Sequence, residues 1–585
     1  MGEQRTSRPT RAWLAFLMII GLVAAALATT SPANAEHPSE GDFTLTILHN
    51  NDGESQLLNA GSGLEDFGGI ARFAEVVKAA EVDAKQGNNR GSILVSSGDN
   101  FLAGPEFTAG VENGIPFYDT IALDSLNYDA ISFGNHDFDF GPDVLTDFLS
   151  GYTNMPQYLA SNVDFTGEPG LQAFVDSGDI SASTVVNVKG ERIGIIGALT
   201  QQISFISSPR NVVVNDVAPA VQAEVDSLTA DGVDKIVLIS HLQNIGEDIA
   251  LAAVLDGVDV MVAGGGDEVL ANPGDLLVPG DVPFGSYPQL AIDVDGDTVP
   301  VVTTAGNYKY LGELEVDFDA DGNVIGWNGG PIRVAAGDNP DAVAKESGNL
   351  NARVVEPVSE FLAALDQTVV GTSEVALDGR RSQVRTTETN EGNLIADSLL
   401  VKGQERAASF GVDSPDVALQ NGGGIRNDDF RGPGAITLLD TFDMVPFSNF
   451  LVVVPDIPRS QFKDIMENAV SRVEFTDGRF AQIAGFSMIY DAGAPAGSRV
   501  LSIVLDDGTP IVTGGAVVAG ADVAIATINF LANGGDQYPF NDAPFTLMGL
   551  TYQQALADYI ETDLGGVISA ADYPEGGEGR ITRLN

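Results

Sequence analysis

The chain has no cysteine, which excludes thiolate nucleophiles, thiolate metal sites and disulfides. A chain of 585 residues without disulfides must depend on its hydrophobic cores, or on bound metals, for stability. Basic residues are also scarce, since 29 Lys and Arg stand against 82 Asp and Glu and the net charge is −53. This acidity argues against binding DNA or anionic membranes through a general electrostatic surface.

Histidine is the third scarce residue, with only four in the chain. A site built from many imidazoles is therefore excluded, and most metal ligands must come from Asp, Glu, Asn or Gln. One histidine lies in the string Gly134-Asn-His-Asp-Phe-Asp139, which follows an apolar run over residues 128–133. An Asn-His-Asp cluster at the end of a strand joins a neutral oxygen ligand, an imidazole and carboxylates, the combination that two-metal phosphoesterases need.

Long apolar runs are confined to the N-terminus, where three arginines precede an apolar stretch over residues 13–28 and Ala33-Asn34-Ala35 follows. This pattern predicts a secretory signal peptide cut after Ala35. The alternative, an uncleaved membrane anchor, is disfavoured because the run is short of a full span. No later stretch predicts a membrane anchor, so we expect a secreted, extracellular protein.

From Phe43 onward, short β-rich runs alternate with helical stretches, a pattern that predicts stacked α and β layers. The length predicts two large domains. Polar residues directly follow most of the apolar runs, and the carboxyl ends of strands are where ligands bind in such folds. The runs that we expect to be central strands are 44–48, 92–96, 192–196, 235–239 and 258–262.

The alternation of strands and helices is interrupted around residues 335–370. A break at Gly337-Asp-Asn-Pro340 is followed by a predicted amphipathic helix over 341–365. Asp317-Phe-Asp-Ala-Asp-Gly322 begins like a calcium loop, but its twelfth position is Asn328 and not Glu, so we predict a β-hairpin turn. The predicted units are a signal peptide (1–35), a flexible lead-in (36–42), an N-terminal domain (43–335), an interdomain helix or linker (336–368) and a C-terminal domain (369–585).

Candidate metal ligands follow the predicted strands in five segments. Each segment alone is a common turn sequence, but their order and their shared position after strands are jointly specific. The candidates are Asp52 and Glu54, then Asp99, Asn135 beside His136, His241, and Asp267 in Gly264-Gly-Gly-Asp267.

With these motifs the chain resembles the calcineurin-like metallophosphoesterases, and within them the secreted 5′-nucleotidase, UDP-sugar hydrolase and 2′,3′-cyclic-nucleotide phosphodiesterase family. The resemblance implies an α/β N-terminal domain of four αββα layers, a linking helix, and a C-terminal α+β substrate-binding domain that rotates to carry the nucleotide to two divalent metal ions. It implies that Asp99 bridges the ions, that Asp52 binds the first, and that Asn135 and His241 bind the second. It also implies that metal-bound hydroxide attacks phosphorus, while His136, oriented by Asp139, assists the leaving oxygen.

Three positions depart from the family pattern, because Glu54, Gly265 and Asp267 stand where the family has histidine. The first metal site becomes all carboxylate and the second loses a ligand. Oxygen ligands favour Mn²⁺, Mg²⁺ or Ca²⁺ over Zn²⁺. Two hypotheses therefore stand, an extracellular metal-dependent nucleotide phosphoesterase and a secreted nucleotide-binding protein with weak or no catalysis. A third keeps the enzyme with another substrate, such as cyclic nucleotides, nucleotide sugars or nucleic-acid ends.

The second half supplies the basic and aromatic groups that a nucleotide needs, at positions that all match the family pattern. The resemblance implies that two phenylalanine rings sandwich the base, an aspartate binds the ribose hydroxyls, and an asparagine with three arginines contacts ribose and phosphate. Stacking tolerates any base, since every base has a π-face. We expect a small nucleotide as the partner and no long nucleic acid, and the oligomeric state stays open. The residues are Phe447 and Phe530, Asp536, and Asn421 with Arg381, Arg385 and Arg426.

Overall fold

A computed structural model describes residues 42–61, 63–266, 268–447, 449–541 and 543–585. The predicted signal peptide and most of the predicted lead-in lie outside these residues. The N-terminal half is built on two sheets. The first has seven strands in the spatial order Val324–Arg333, Tyr310–Phe318, Phe43–Asn50, Arg90–Ser96, Ala130–Ser132, Gln157–Leu159 and Ile180–Ser181. The second has six in the order Gln289–Ile292, Thr298–Val302, Val260–Gly264, Ile236–His241, Glu191–Leu199 and Ser183–Val188.

The two sheets pack face to face with helices on both outer sides. Successive side chains of a strand point to opposite faces, so Leu45 and Ile47 enter the core between the sheets while Leu48 packs with Phe73 on the helical side. The result is the four-layer helix–sheet–sheet–helix arrangement that the resemblance implies. Helices Ile70–Ala84, Pro105–Asn113, Tyr118–Asp124, Gly141–Ser150 and Pro169–Ser177 cover the first sheet, and Val217–Ala230 and Ile245–Ala252 cover the second.

All five predicted central strands are confirmed, and their parallel pairing brings their carboxyl ends together. In the first sheet, Phe43–Asn50 pairs in parallel with Arg90–Ser96, which pairs in parallel with Ala130–Ser132. In the second, Ile236–His241 lies between Glu191–Leu199 and Val260–Gly264, parallel to both. The loops that carry the candidate ligands therefore leave the two sheets at the same end.

The predicted hairpin is also confirmed. Tyr310–Phe318 and Val324–Arg333 pair antiparallel. In the turn between them, the Asp319 carboxylate accepts the backbone N–H groups of Asp321 and Asn323, both at 2.9 Å. Asp319 thus serves as a turn former.

The predicted helix over 341–365 is wrong at its beginning. The helix starts at Gly348, where the Ser347 side chain caps it, and continues through the wider turn Asn351–Val355 into Glu356–Asp366. Residues 341–347 are not helical, and the Asp341 carboxylate at the start of this segment is held by the Arg333 guanidinium at 2.6 and 3.0 Å. One face of the helix enters the core of the N-terminal half, and helix Leu438–Met444 of the C-terminal half packs against it as well.

The C-terminal half surrounds the long helix Asn390–Phe410, which the Thr389 side chain caps and which ends at Gly411 in the left-handed conformation. None of the helices in the described part of the chain is long and apolar enough to cross a membrane. One sheet has the strand order Ala481–Ala484, Val417–Asn421, Val523–Ile528, Phe450–Ile457 and Thr546–Thr551. Another has Ala516–Val517, Pro510–Thr513, Val500–Leu505, Phe486–Asp491 and Ile581–Leu584, and a third has Gly434–Thr437, Val369–Ser373 and Val567–Ile568. The further helices are Arg381–Val384, Leu438–Met444, Arg459–Ala469, Asn529–Ala532 and Tyr552–Asp558.

Candidate functional site

Three predicted metal ligands meet where the strands of the two N-terminal sheets end. Within the described ranges, Asp52, Asp99 and His241 form a group whose ligand atoms all lie within 4.8 Å of one another. All three are buried, with at most 5% of each residue exposed. Buried carboxylates are costly unless they are paired or bind a cation, so the cluster fits a metal site.

The backbone holds the carboxylates of this cluster in unusual conformations. The N–H of Asp52 donates to the Gly98 carbonyl and the N–H of Glu54 to the Asp99 carbonyl, both at 3.0 Å, so the two loops are joined. Asp52, Glu54 and Asp99 all adopt positive φ, at 51°, 51° and 50°. Such strain costs about 1–3 kcal/mol for each residue and is concentrated at functional sites. A side chain at Gly134 would collide with the Asp99 carboxylate, so the loops meet only because of this glycine.

His241 is oriented as a metal-binding histidine. Its Nδ1–H donates to the Ser97 carbonyl at 2.7 Å, which leaves Nε2 for a ligand. Nε2 lies 3.0 Å from Asp99 Oδ2 and 3.1 Å from Asn135 Oδ1. Burial lowers the pKa of His241, but the negative charges of Asp99 and Asp52 outweigh it and raise the pKa to about 10. The same charges attract a divalent cation, so an imidazole with convergent oxygen donors fits the metal that the family resemblance implies.

Asp52 is the first-site candidate whose contacts are described most fully. Its Oδ2 accepts the N–H of Gly265 at 3.0 Å. Burial raises the pKa of Asp52 to about 7, opposed by His241 and assisted by the charges of Asp99 and Glu54. Glu54 thus acts on Asp52 through its charge, but it stands outside the compact group of three. Asp267 lies outside the described residues.

His136 and Asp139 form a hydrogen-bonded pair. His136 Nδ1 lies 2.7 Å from Asp139 Oδ2, and Asp139 Oδ1 accepts the Ser207 hydroxyl at 2.8 Å. The backbone N–H of His136 donates to Asp99 Oδ1 at 2.7 Å, which links the pair to the metal cluster. Burial lowers the pKa of His136, but Asp139 and Asp99 raise it to about 9. The pair is thus arranged for a protonated imidazole whose Nε2–H is available to a neighbour.

A cavity of about 420 Å³ lies between the two halves of the chain. From the N-terminal half, Asn135, His136 and Asp139 line it, together with Ser207 and Gln243. From the C-terminal half, every one of the seven predicted nucleotide-binding residues lines it: Arg381, Arg385, Asn421, Arg426, Phe447, Phe530 and Asp536. The structure thus brings the His136–Asp139 pair and the predicted nucleotide-binding residues together in one cavity.

The three arginines of this cavity form a local positive cluster in a strongly acidic protein. Burial lowers the pKa of Arg385 to about 10, and the charges of Arg381 and Arg426 add to this effect. The buried Nε of Arg385 has no hydrogen-bond partner among the described residues. The Arg426 guanidinium lies 5.5 Å from the centre of the Phe447 ring. Such a cluster fits an anionic ligand, because a phosphate would relieve the repulsion between the guanidinium groups.

The other pocket residues include Asn421 at the end of strand Val417–Asn421, Phe530 in helix Asn529–Ala532, and Asp536 shortly after that helix. The Asn421 amide donates to Asp536 Oδ2 at 2.6 Å, and Asp536 itself has a positive φ of 51°. The Phe530 ring lies directly over Gly535, where a larger residue would collide with it. Phe447 and Phe530 are both half-buried at the cavity wall.

Among the residues that line this cavity, the sequence prediction missed Ser207, Gln243 and Phe475. Ser207 orients Asp139, Gln243 donates to Asn135 Oδ1, and Phe475 is an exposed ring, 67% accessible, at the cavity edge. A serine, a glutamine and a lone phenylalanine carry no local motif. The position of Gln243, two residues after the last residue of a central strand, was the one signal that could have singled it out.

Comparisons with known proteins agree with this geometry. Residues 369–542 match the profile of the 5′-nucleotidase C-terminal domain family. The human 5′-nucleotidase is 30% identical over 513 residues, covering 86% of this chain and 85% of the human protein. The trifunctional nucleotide phosphoesterase protein YfkN of Bacillus subtilis is 30% identical over 539 residues, but the match spans only 33% of that longer protein. The crystal structure of the 5′-nucleotidase precursor from Thermus thermophilus is 33% identical, with a TM-score of 0.72 over 93% of this chain and 100% of that one.

Proposed function

Because the chain belongs to the 5′-nucleotidase family of nucleotide phosphoester hydrolases, we propose that it hydrolyses a nucleotide phosphoester in an extracellular, metal-dependent reaction. The observation that carries the proposal is the single cavity that His136 and Asp139 share with all seven nucleotide-binding candidates. The extracellular location rests on the signal-peptide pattern in residues 1–35.

The proposed roles follow from the contacts of each group. Asp52, Asp99, Asn135 and His241 would hold divalent cations, which when bound polarise a phosphoryl oxygen and lower the pKa of water. Arg381, Arg385 and Arg426 neutralise the phosphate and orient it. His136 donates the Nε2 proton to the leaving ribose oxygen, since its Nδ1 is engaged by Asp139. Asn421 and Asp536 bind the ribose, and Phe447 and Phe530 stack on the base.

Phosphate release from a panel of nucleotides tests this proposal. The panel is AMP, ADP, ATP, UDP-glucose and 2′,3′-cyclic AMP, each assayed with the purified protein. Turnover of at least one compound, abolished by a chelator, is the expected result and identifies the phosphoester. Saturable nucleotide binding without turnover under any metal would instead establish the nucleotide-binding protein with no catalysis.

The metal preference of the site is a second expected outcome. After chelation, we expect Mn²⁺ or Mg²⁺ to restore phosphate release at least about tenfold better than Zn²⁺, because oxygen donors outnumber imidazoles around Asp99. Initial rates measured at equal free metal concentrations provide the comparison. A protein restored best by Zn²⁺ would contradict this expectation.

The stacking role is tested by Phe447→Leu and Phe530→Leu. Base stacking contributes about 1–3 kcal/mol, so each variant is expected to raise KM for a nucleoside monophosphate by about 5-fold to 150-fold. Ribose 5-phosphate is the control substrate, because it has no base and its KM should change little. Equal losses on both substrates would show that the rings shape the cavity and do not bind the base.

A further inference from the structure

Gln243 lies beside Asn135 and His241, the two candidate ligands of the second metal site. The family pattern adds a further histidine to that site, at the position that Gly265 occupies in this chain. Gln243 follows His241 by two residues and lines the same cavity as Asn135 and His136. Its side-chain amide donates a short hydrogen bond to Asn135 Oδ1. That oxygen is also the one that lies 3.1 Å from His241 Nε2. Gln243 therefore reaches the point at which two candidate ligands of the second site already meet.

Gly265, which occupies the histidine position of the family pattern, cannot carry a side chain on this backbone. A Cβ there would lie 2.8 Å from the Gln243 nitrogen and 2.9 Å from His241 Nε2, and the φ of Gly265 is +87°. The loop of Gln243 thus occupies the space into which an imidazole at position 265 would project. Gln243 itself has a φ of 89°, a conformation that non-glycine residues rarely adopt.

The carboxamide of Gln243 can either donate a hydrogen bond to Asn135 or offer an oxygen to a cation. It carries a carbonyl oxygen and an NH₂ group, which exchange places when the group rotates by half a turn. The NH₂ faces Asn135 Oδ1 in the structure, because two carbonyl oxygens would repel each other there. When a divalent cation lies beside Asn135 and His241, the carbonyl oxygen of Gln243 would face the cation in place of the NH₂ group. Carbonyl oxygens of Asn and Gln are both ligands of hard cations.

Resting on the metal-dependent function proposed above, we propose that the amide oxygen of Gln243 is a ligand of the second cation and replaces the imidazole that Gly265 cannot supply. The replacement exchanges a nitrogen donor for an oxygen donor. It therefore accounts for the loss of one histidine without the loss of the site. It also moves the second site toward cations that prefer oxygen.

Two substitutions separate a metal ligand from a residue that merely positions Asn135. Gln243→Ala removes both groups of the amide. Gln243→Glu keeps an oxygen that can bind metal but removes the NH₂ that holds Asn135. A ligand role predicts that the Glu variant retains the second cation, whereas a positioning role predicts that it loses affinity like the Ala variant.

Calorimetric titration of the chelator-treated protein with Mn²⁺ measures this directly, and the electron paramagnetic resonance signal of bound Mn²⁺ reports whether two ions are neighbours. We expect two Mn²⁺ per chain in the wild type and in Gln243→Glu. We expect about 10-fold to 100-fold weaker binding of the second ion in Gln243→Ala. Wild-type binding in Gln243→Ala, weakened binding in Gln243→Glu, or a single site in the wild type would each overturn the proposal.

Gln201→Ala is the matched control. Gln201 is an exposed glutamine that also follows a strand of the second sheet by two residues, but its amide is bonded to Asp216 Oδ1 at 2.8 Å and does not line the cavity. Its Mn²⁺ titration should match the wild type, and thermal unfolding in chelator confirms that each variant is folded. The titration needs no substrate, so a protein that binds two ions and hydrolyses nothing would refute the proposed function and leave this inference standing.

Discussion

Replacement of Asp99 by asparagine is expected to lower kcat/KM for nucleotide hydrolysis by about a thousandfold or more, a loss of about 4 kcal/mol of transition-state stabilisation. Asp99 links the metal cluster to the His136–Asp139 pair. Its Oδ1 accepts the backbone N–H of His136 at 2.7 Å, and its Oδ2 lies 3.0 Å from His241 Nε2. Asparagine keeps the shape of the side chain but removes the charge that attracts a cation. Phosphate release and Mn²⁺ titration on the same preparation measure both effects.

Asp99 is buried, yet neighbouring histidines stabilise its negative charge. Burial alone would raise the pKa of Asp99, but His241 and His136 outweigh the burial and hold the pKa below its usual range. Asp321→Asn, at the exposed hairpin turn, is a control that removes the same charge far from the cluster and should leave activity unchanged. An Asp99→Asn protein with full activity and unchanged Mn²⁺ binding would show that this cluster is not the metal site.

Replacement of His136 by glutamine is expected to lower kcat for a nucleoside monophosphate by about 10²-fold to 10⁴-fold, the usual contribution of a positioned general acid. The loss should depend on the leaving group. An alkoxide such as a ribose oxygen needs a proton as the bond to phosphorus breaks, whereas an acidic phenol leaves readily without one. On an aryl phosphate with an acidic leaving group, we therefore expect a loss of less than about tenfold.

A plot of log kcat against the leaving-group pKa tests this role, and it should be steeper for His136→Gln than for the wild type. Asp139→Asn is the companion variant, because Asp139 holds His136 at 2.7 Å without reaching the substrate in the proposed mechanism. Its loss should be smaller and should follow the same dependence on leaving group. Equal losses of His136→Gln on both substrates would indicate that His136 binds the phosphate and does not donate a proton.

The architecture was predictable because strand and turn patterns are local. The runs 192–196 and 235–239 are rich in isoleucine, valine and leucine, and both lie in strands of the second sheet. The helix over 341–365 was predicted too early because its apolar period extends back past Ser347. The contact of Asp341 with Arg333 lies at the start of the non-helical segment 341–347, and the helical period of the sequence does not predict it.

The site residues that could be predicted from the sequence are those that lie in recognisable motifs. Asp52, Asp99 and His241 belong to segments whose order resembles a family, and they lie within 4.8 Å of one another. From the sequence, Gly265 predicts the loss of one metal ligand. The structure adds the reason, because the backbone at Gln243 and the imidazole of His241 leave no room for a Cβ at this position.

By itself, the sequence determined the αβ layers, the strands whose carboxyl ends carry the polar loops, and the types of ligand available in a chain without cysteine and with few histidines. Only the tertiary structure decided which side chains complete the site. Ser207 reaches Asp139 across 68 residues and Gln243 reaches Asn135 across 108. Such contacts arise because parallel pairing and the packing of two sheets bring distant loops together, and a local pattern carries no information about loops that are far apart along the chain.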